Sequence, residues 1–117
     1  MFDLPKPDEL PPWFTYPDEF LRAVRQCLVD LTPWHVMERD AVLARMEGLR
    51  HRYTERELVP FARRQDNDDV ACWERDRMAA VVVIHDFSSA GSETRAVYGD
   101  LWSWFRVAVE DMANFDD

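Results

Sequence analysis

Leu58-Val59-Pro60-Phe61-Ala62-Arg63-Arg64-Gln65-Asp66-Asn67-Asp68-Asp69-Val70-Ala71-Cys72-Trp73-Glu74 reads as strand, polar turn, strand. Apolar, β-branched and aromatic residues flank a hinge rich in Asp and Asn, the composition of a hairpin. Pro60 cannot donate to a ladder, so it pushes the first of these strands toward an edge or a bulge. Downstream, residues 79–85 are apolar without alternation, which suits a central strand covered on both faces. Residues 75–78 are a link short enough for a second hairpin. Upstream, Trp34-His35-Val36-Met37 makes a shorter strand. The sheet expected is therefore antiparallel, with about four strands at 34–37, 57–62, 69–74 and 79–85.

Three helices surround these strands. Pro17 suits the first position of one, with Asp18 and Glu19 in the turn where the macrodipole favours acids. Phe20, Val24, Cys27, Leu28 and Leu31 continue it at helical spacing until Pro33. Residues 40–53 place Val42, Met46, Leu49 and Tyr53 on one face, with Gly48 inside at a cost of about 1 kcal/mol relative to Ala. Residues 86–95, with Ser88, Ser89, Gly91 and Ser92, read as a loop. Asp100 then caps a third helix whose buried stripe is expected to be Leu101, Phe105, Ala108, Val109 and Met112. Trp102 and Trp104 stand two apart and so point in nearly opposite directions. With Phe105 inward, Trp102 is the exposed one. Residues 1–16 carry Pro5, Pro7, Pro11 and Pro12 and form an extended arm whose aromatics pin it to the domain, and residues 114–117 form an acidic tail.

At 117 residues the chain is one α+β domain at 17–113 with a core of its own. Its formal charge is −9, with twelve acids against four bases in residues 65–117 but nine bases against six acids in residues 22–64. Such acidity disfavours nucleic acid, whose binding rests on displaced counterions, and steers basic protein partners. The cations are thirteen Arg and one Lys, which removes Schiff-base and P-loop lysine chemistry from the folded part. No apolar run reaches the length of about 20 residues that a membrane span needs, and no signal peptide is visible, so a cytoplasmic setting is expected. Cys27 and Cys72 each sit in apolar patterns and are expected as reduced core residues.

Catalytic patterns are sparse. Asp66, Asp68 and Asp69 offer oxygen ligands, but an EF-hand counted from Asp66 would need Gly and Glu where Ala71 and Arg77 stand. A small hydrolase using these aspartates with His85 and a divalent ion is one alternative; a homodimer through an edge strand or tryptophans is another. His35, His51 and His85 have no zinc spacing, neither cysteine sits in a CxxC, and the serines lack a nucleophile elbow. No metal or cofactor is expected.

From residue 20 to residue 113 the chain resembles the SMI1/KNR4 (SUKH) superfamily. The resemblance is carried by Trp34, Leu58-Val59-Pro60-Phe61-Ala62, the Asp66-Asn67-Asp68-Asp69 turn, Ala71-Cys72-Trp73-Glu74, Ala80-Val81-Val82-Val83-Ile84-His85-Asp86 and Leu101-Trp102-Ser103-Trp104-Phe105. The turn here lacks the glycine usual in the family, though Asn and Asp tolerate positive φ. The resemblance implies a non-enzymatic binding domain, of which bacterial members resemble immunity proteins that neutralise a toxin, often a nuclease. A basic toxin domain would then meet Asp66, Asp68, Asp69, Glu74 and Asp86, with Trp73 or Trp102 as aromatic anchors, on a protein that is a monomer or a weak homodimer.

Overall fold

The computed structural model describes residues 1–77 and 79–116. Met78, at the end of the expected 75–78 link, and Asp117 of the tail lie outside them. One antiparallel sheet of six strands runs in chain order through β1 (Asp30–Leu31), β2 (Trp34–Val36), β3 (Leu58–Arg64), β4 (Asp69–Glu74), β5 (Val81–His85) and β6 (Thr94–Tyr98). The helices are α1 (Asp18–Arg25), α2 (Arg39–Arg52) and α3 (Leu101–Asn114), and the arm adds a single 3-10 turn at Pro7–Glu9. The class is α+β, as expected. The sheet holds two strands more than the four expected, and both additions have physical causes.

β1 exists because α1 stops early. Cys27 takes a left-handed φ of 61°, its N–H bonds to Val24 O at 3.0 Å, and the Leu28 N–H reaches Ala23 O at 2.9 Å. These are the paired bonds of a Schellman cap, a position glycine usually fills. The cap turns the chain, so Asp30 and Leu31 pair with His35 and Trp34 instead of extending the helix. It also leaves Cys27 exposed, where a core position was expected. β6 was expected as loop up to residue 95. Its residues 94–98 pair with β5 around a bulge, Val82 opposite Val97 and Ile84 opposite Thr94.

The central strands β3, β4 and β5 bury both faces. Val59, Phe61, Ala71, Trp73, Val81 and Val83 join Phe20 of α1 and Leu101, Trp104 and Ala108 of α3 in one cluster. Leu58, Val70, Cys72, Val82 and Ile84 join Val42 and Leu49 of α2 and Tyr53 in the other. The period of two in β5 puts alternate valines into opposite clusters, which is why its sequence is continuously apolar. Pro60 sits at a register shift between Pro60 and Ala62, a bulge inside a paired strand. The arm packs by its aromatics: Phe14 lies 5.2 Å from Trp73, and Tyr16 stacks on Phe20 at the same separation. Among the described residues no helix is long and apolar enough to cross a membrane.

α3 corrects the sequence reading in its stripe. Asp100 caps it as expected, accepting from Ser103 N at 2.8 Å. The buried positions are Leu101, Trp104 and Ala108, whereas Val109 and Met112 are 38% and 40% exposed and Phe105 is half-buried. Trp104 decides the rotation. Its ring meets Trp34 at 5.4 Å and Phe61 at 5.0 Å, both edge-on, the preferred geometry for aromatic pairs.

Candidate functional site

The carboxylates expected to face a partner are largely held by arginines. Asp66 pairs with Arg64 at 2.7 Å. Asp69 is buried and accepts from Arg95 Nε at 2.9 Å, with His85 Nδ1 2.8 Å from the same carboxylate, while its own N–H bonds to Asn67 Oδ1. Glu74 takes both Nε and Nη2 of Arg56, each at 2.8 Å, and also meets Arg77. Arg56 reaches further to Glu93 at 3.0 Å. Asp86 is almost wholly buried between Arg45 and Arg52. Of the five acids, Asp68 is the one with no ion pair among the described residues. Trp73 lies in the core, stacked on Phe61 at 4.3 Å, because β4 directs it inward with Ala71. Trp102 is at the surface, 38% exposed, with its edge against Phe105 at 5.6 Å.

The aspartate–histidine set does not converge. Asp69 and His85 touch, but Asp66 turns to Arg64, and among the described residues no group of three or more His, Cys, Asp or Glu side chains could hold a metal ion.

Two surfaces remain as candidates, one on each side of the sheet. The first is the outer stripe of α3. Trp102, Phe105, Val109 and Met112 recur at spacings of three and four, so they line one helix face beside the buried one. Phe105 also lines a narrow apolar crevice with Val24 and Leu28, and Leu28 is itself exposed. The stripe therefore extends across to the end of α1. Trp102 is outward and Trp104 inward, as the sequence reading has them, but Phe105, Val109 and Met112, expected in the buried stripe, share the outer face with Trp102.

The second surface surrounds Asp86, a residue the sequence reading named, but its arginine lining was not anticipated. Arg52 donates Nε to Asp86 Oδ1 and Nη2 to Oδ2, each at 2.7 Å, and Arg45 adds a bond at 2.9 Å. Burial pushes the Asp86 pKa up, but the two guanidinium groups outweigh it and hold the carboxyl below its ordinary value. In turn the Asp86 bond raises the pKa of Arg52. Gly48 makes this possible. A Cβ there would stand 2.6 Å from Arg52 Nη2, so the glycine lets the guanidinium lie back along α2. Phe87 follows at φ 65°, with the Arg52 guanidinium 4.2 Å from its ring centroid. Met37, Ala41, Ala44 and Arg63 complete a groove of about 420 Å³. A readable signal existed: Arg45, Gly48 and Arg52 share one helix face.

Comparison of the chain with family models, with curated proteins and with solved structures gave no match.

Proposed function

We propose that this chain is a non-enzymatic protein-binding domain whose partner docks on the outer stripe of α3, with Trp102 as the aromatic anchor. The observation that carries this reading is the α3 surface itself. A helix whose core contact is made by Leu101, Trp104 and Ala108 leaves Trp102, Val109 and Met112 substantially exposed, with Leu28 at their flank. Exposed apolar side chains gathered on one face mark interaction sites, and a partly exposed Trp is a favoured anchor. The more specific form follows from the SUKH resemblance: an immunity-type protein that neutralises a cognate toxin, possessing a charge of −9 that suits a basic partner. Because the hairpin carboxylates are mostly paired, charge acts here on encounter rate and the apolar stripe on the bound complex.

Co-expression with the product of the neighbouring gene tests this. Wild type should co-purify with it, and a Trp102→Glu, Met112→Glu variant with an unchanged circular dichroism spectrum should not. A complex untouched by that variant, or none formed, would sink the reading. A second reading is self-association through the same stripe, since an apolar helix face can meet its own copy about a two-fold axis. Light scattering separates the two: a concentrated wild-type monomer excludes the homodimer.

A further inference from the structure

The groove beside α2 is lined by three arginines and, among the described residues, by no acidic one. These are Arg45, Arg52 and Arg63, and Asp86 pairs with the first two. Both Asp86 oxygens are already taken by Arg45, Arg52 and the Phe87 N–H. Arg63 is exposed and has no ion pair among the described residues. Among the described residues only Nη1 of Arg45 is engaged, so most of its five donors stay open. A chain of net charge −9 thus carries a local excess of cations in one place.

Shape and composition narrow what would lie there. The floor is made by Ala41, Ala44 and Gly48, which raise no bulky side chain. At one end stands Phe87, 63% exposed and fixed in a left-handed conformation that a bulky residue rarely adopts. The volume of about 420 Å³ is open to solvent along the groove rather than enclosed. A free small molecule would not be covered there to the 70–90% usual for such ligands. A nucleic-acid backbone needs a longer track of cations than these three arginines, and beyond the groove its phosphates would meet the acids of the chain.

We propose that this groove binds an extended acidic segment of a protein partner. Its carboxylates pair with Arg63 and the free donors of Arg45, in the forked geometry that guanidinium groups favour. An apolar side chain of the segment rests on the Phe87 ring. Gly48 and the Asp86 clamp serve this site by holding Arg52 flat, so that the floor stays open and the ring of Phe87 stays in place. The site lies on the α2 side of the sheet, so it stands or falls independently of the α3 stripe.

A short fluorescein-labelled peptide of Asp-Glu-Phe repeats, titrated by anisotropy into the full chain, is the probe, with a Lys-Lys-Phe peptide as control. Saturable binding of the acidic peptide alone is expected. Arg63→Glu should raise its Kd by about tenfold or more. Phe87→Gly should weaken it several-fold without lowering the melting temperature, because Gly accepts the positive φ. Amide shifts on peptide addition should fall on Ala41, Ala44, Gly48, Arg63 and Phe87. The proposal is overturned by equal binding of both peptides, by indifference to Arg63→Glu, by shifts confined to α3, or by tripolyphosphate competing as well as the peptide does.

Discussion

The two sides of the sheet solve opposite problems. On the α3 side, aromatic rings pack against one another, Trp73 with Phe61, Phe14, Tyr16 and Phe20, and the surplus of apolar residues spills onto the outer face of α3. On the α2 side, a smaller aliphatic cluster is rimmed by arginine–carboxylate pairs: Asp86 with Arg45 and Arg52, and Arg56 with Glu74 and Glu93. The difference teaches that hydropathy and charge, summed along the chain, do not say what is exposed. Apolar Met112 is out and charged Asp86 is in.

The largest expected effect contrasts two tryptophans on one helix. Trp104→Ala should cost about 3–5 kcal/mol in urea denaturation, as for other buried large aromatics. Trp102→Ala should cost under about 1 kcal/mol, since a surface change away from a network is usually small. Equal losses would mean that the α3 stripe is part of the core. Next, Asp86→Ala should destabilise by about 3 kcal/mol, because it leaves two guanidinium groups facing each other without their shared carboxylate. Both arginines are partly solvated, which holds the effect at the low end of the range for a broken buried pair.

A smaller effect isolates Gly48. In the Arg52→Ala background, Gly48→Ala should stabilise by about 1 kcal/mol, the ordinary helical gain. In the wild type that gain should be offset, because the new Cβ drives the guanidinium away from Asp86. A double-mutant cycle with no coupling would remove the glycine from the clamp.

The smallest effect assigns one limb of the pH–stability curve to each side. The folded Asp86 pKa lies below its usual 3.8, so its contribution is complete above that value and is lost as pH falls through the folded one. Burial pushes Tyr16 from 10.0 up to about 12, so the stability it confers is complete below pH 10.0 and disappears as pH rises toward 12. Tyr16→Phe should flatten the alkaline limb and leave the acid limb unchanged. Its hydroxyl is buried without a hydrogen-bond partner among the described residues, so the substitution should not destabilise at neutral pH.

Much of the fold was legible where local preference and tertiary contact agree. β4 falls on residues 69–74 as read, and the Asp100 cap holds because its bond is local. The end of α1 was not legible, since Cys27 fills a position that glycine normally announces. β6 was hidden by its composition. Thr94 and Arg95 follow a serine- and glycine-rich loop, and the apolar run after them, Ala96-Val97-Tyr98, is only three residues long. On α3, two adjacent stripes have equal apolar weight, and periodicity cannot choose between them; the ring of Trp34, seventy residues earlier in the chain, makes the choice. The site residues fared as their partners dictate. Acids can be counted in a sequence, but Arg45 and Asp86 meet 41 positions apart.

Spatial order in the sheet equals order along the chain. As the polypeptide leaves the ribosome, each new strand finds its neighbour already waiting, and short-range pairing of this kind favours rapid folding. The proline-rich arm is the exception. It precedes the hairpin in the chain, yet Phe14 and Tyr16 reach their contact with Trp73 only once β4 has emerged. Residues made before the hairpin thus find their place after it, closing over it like a latch.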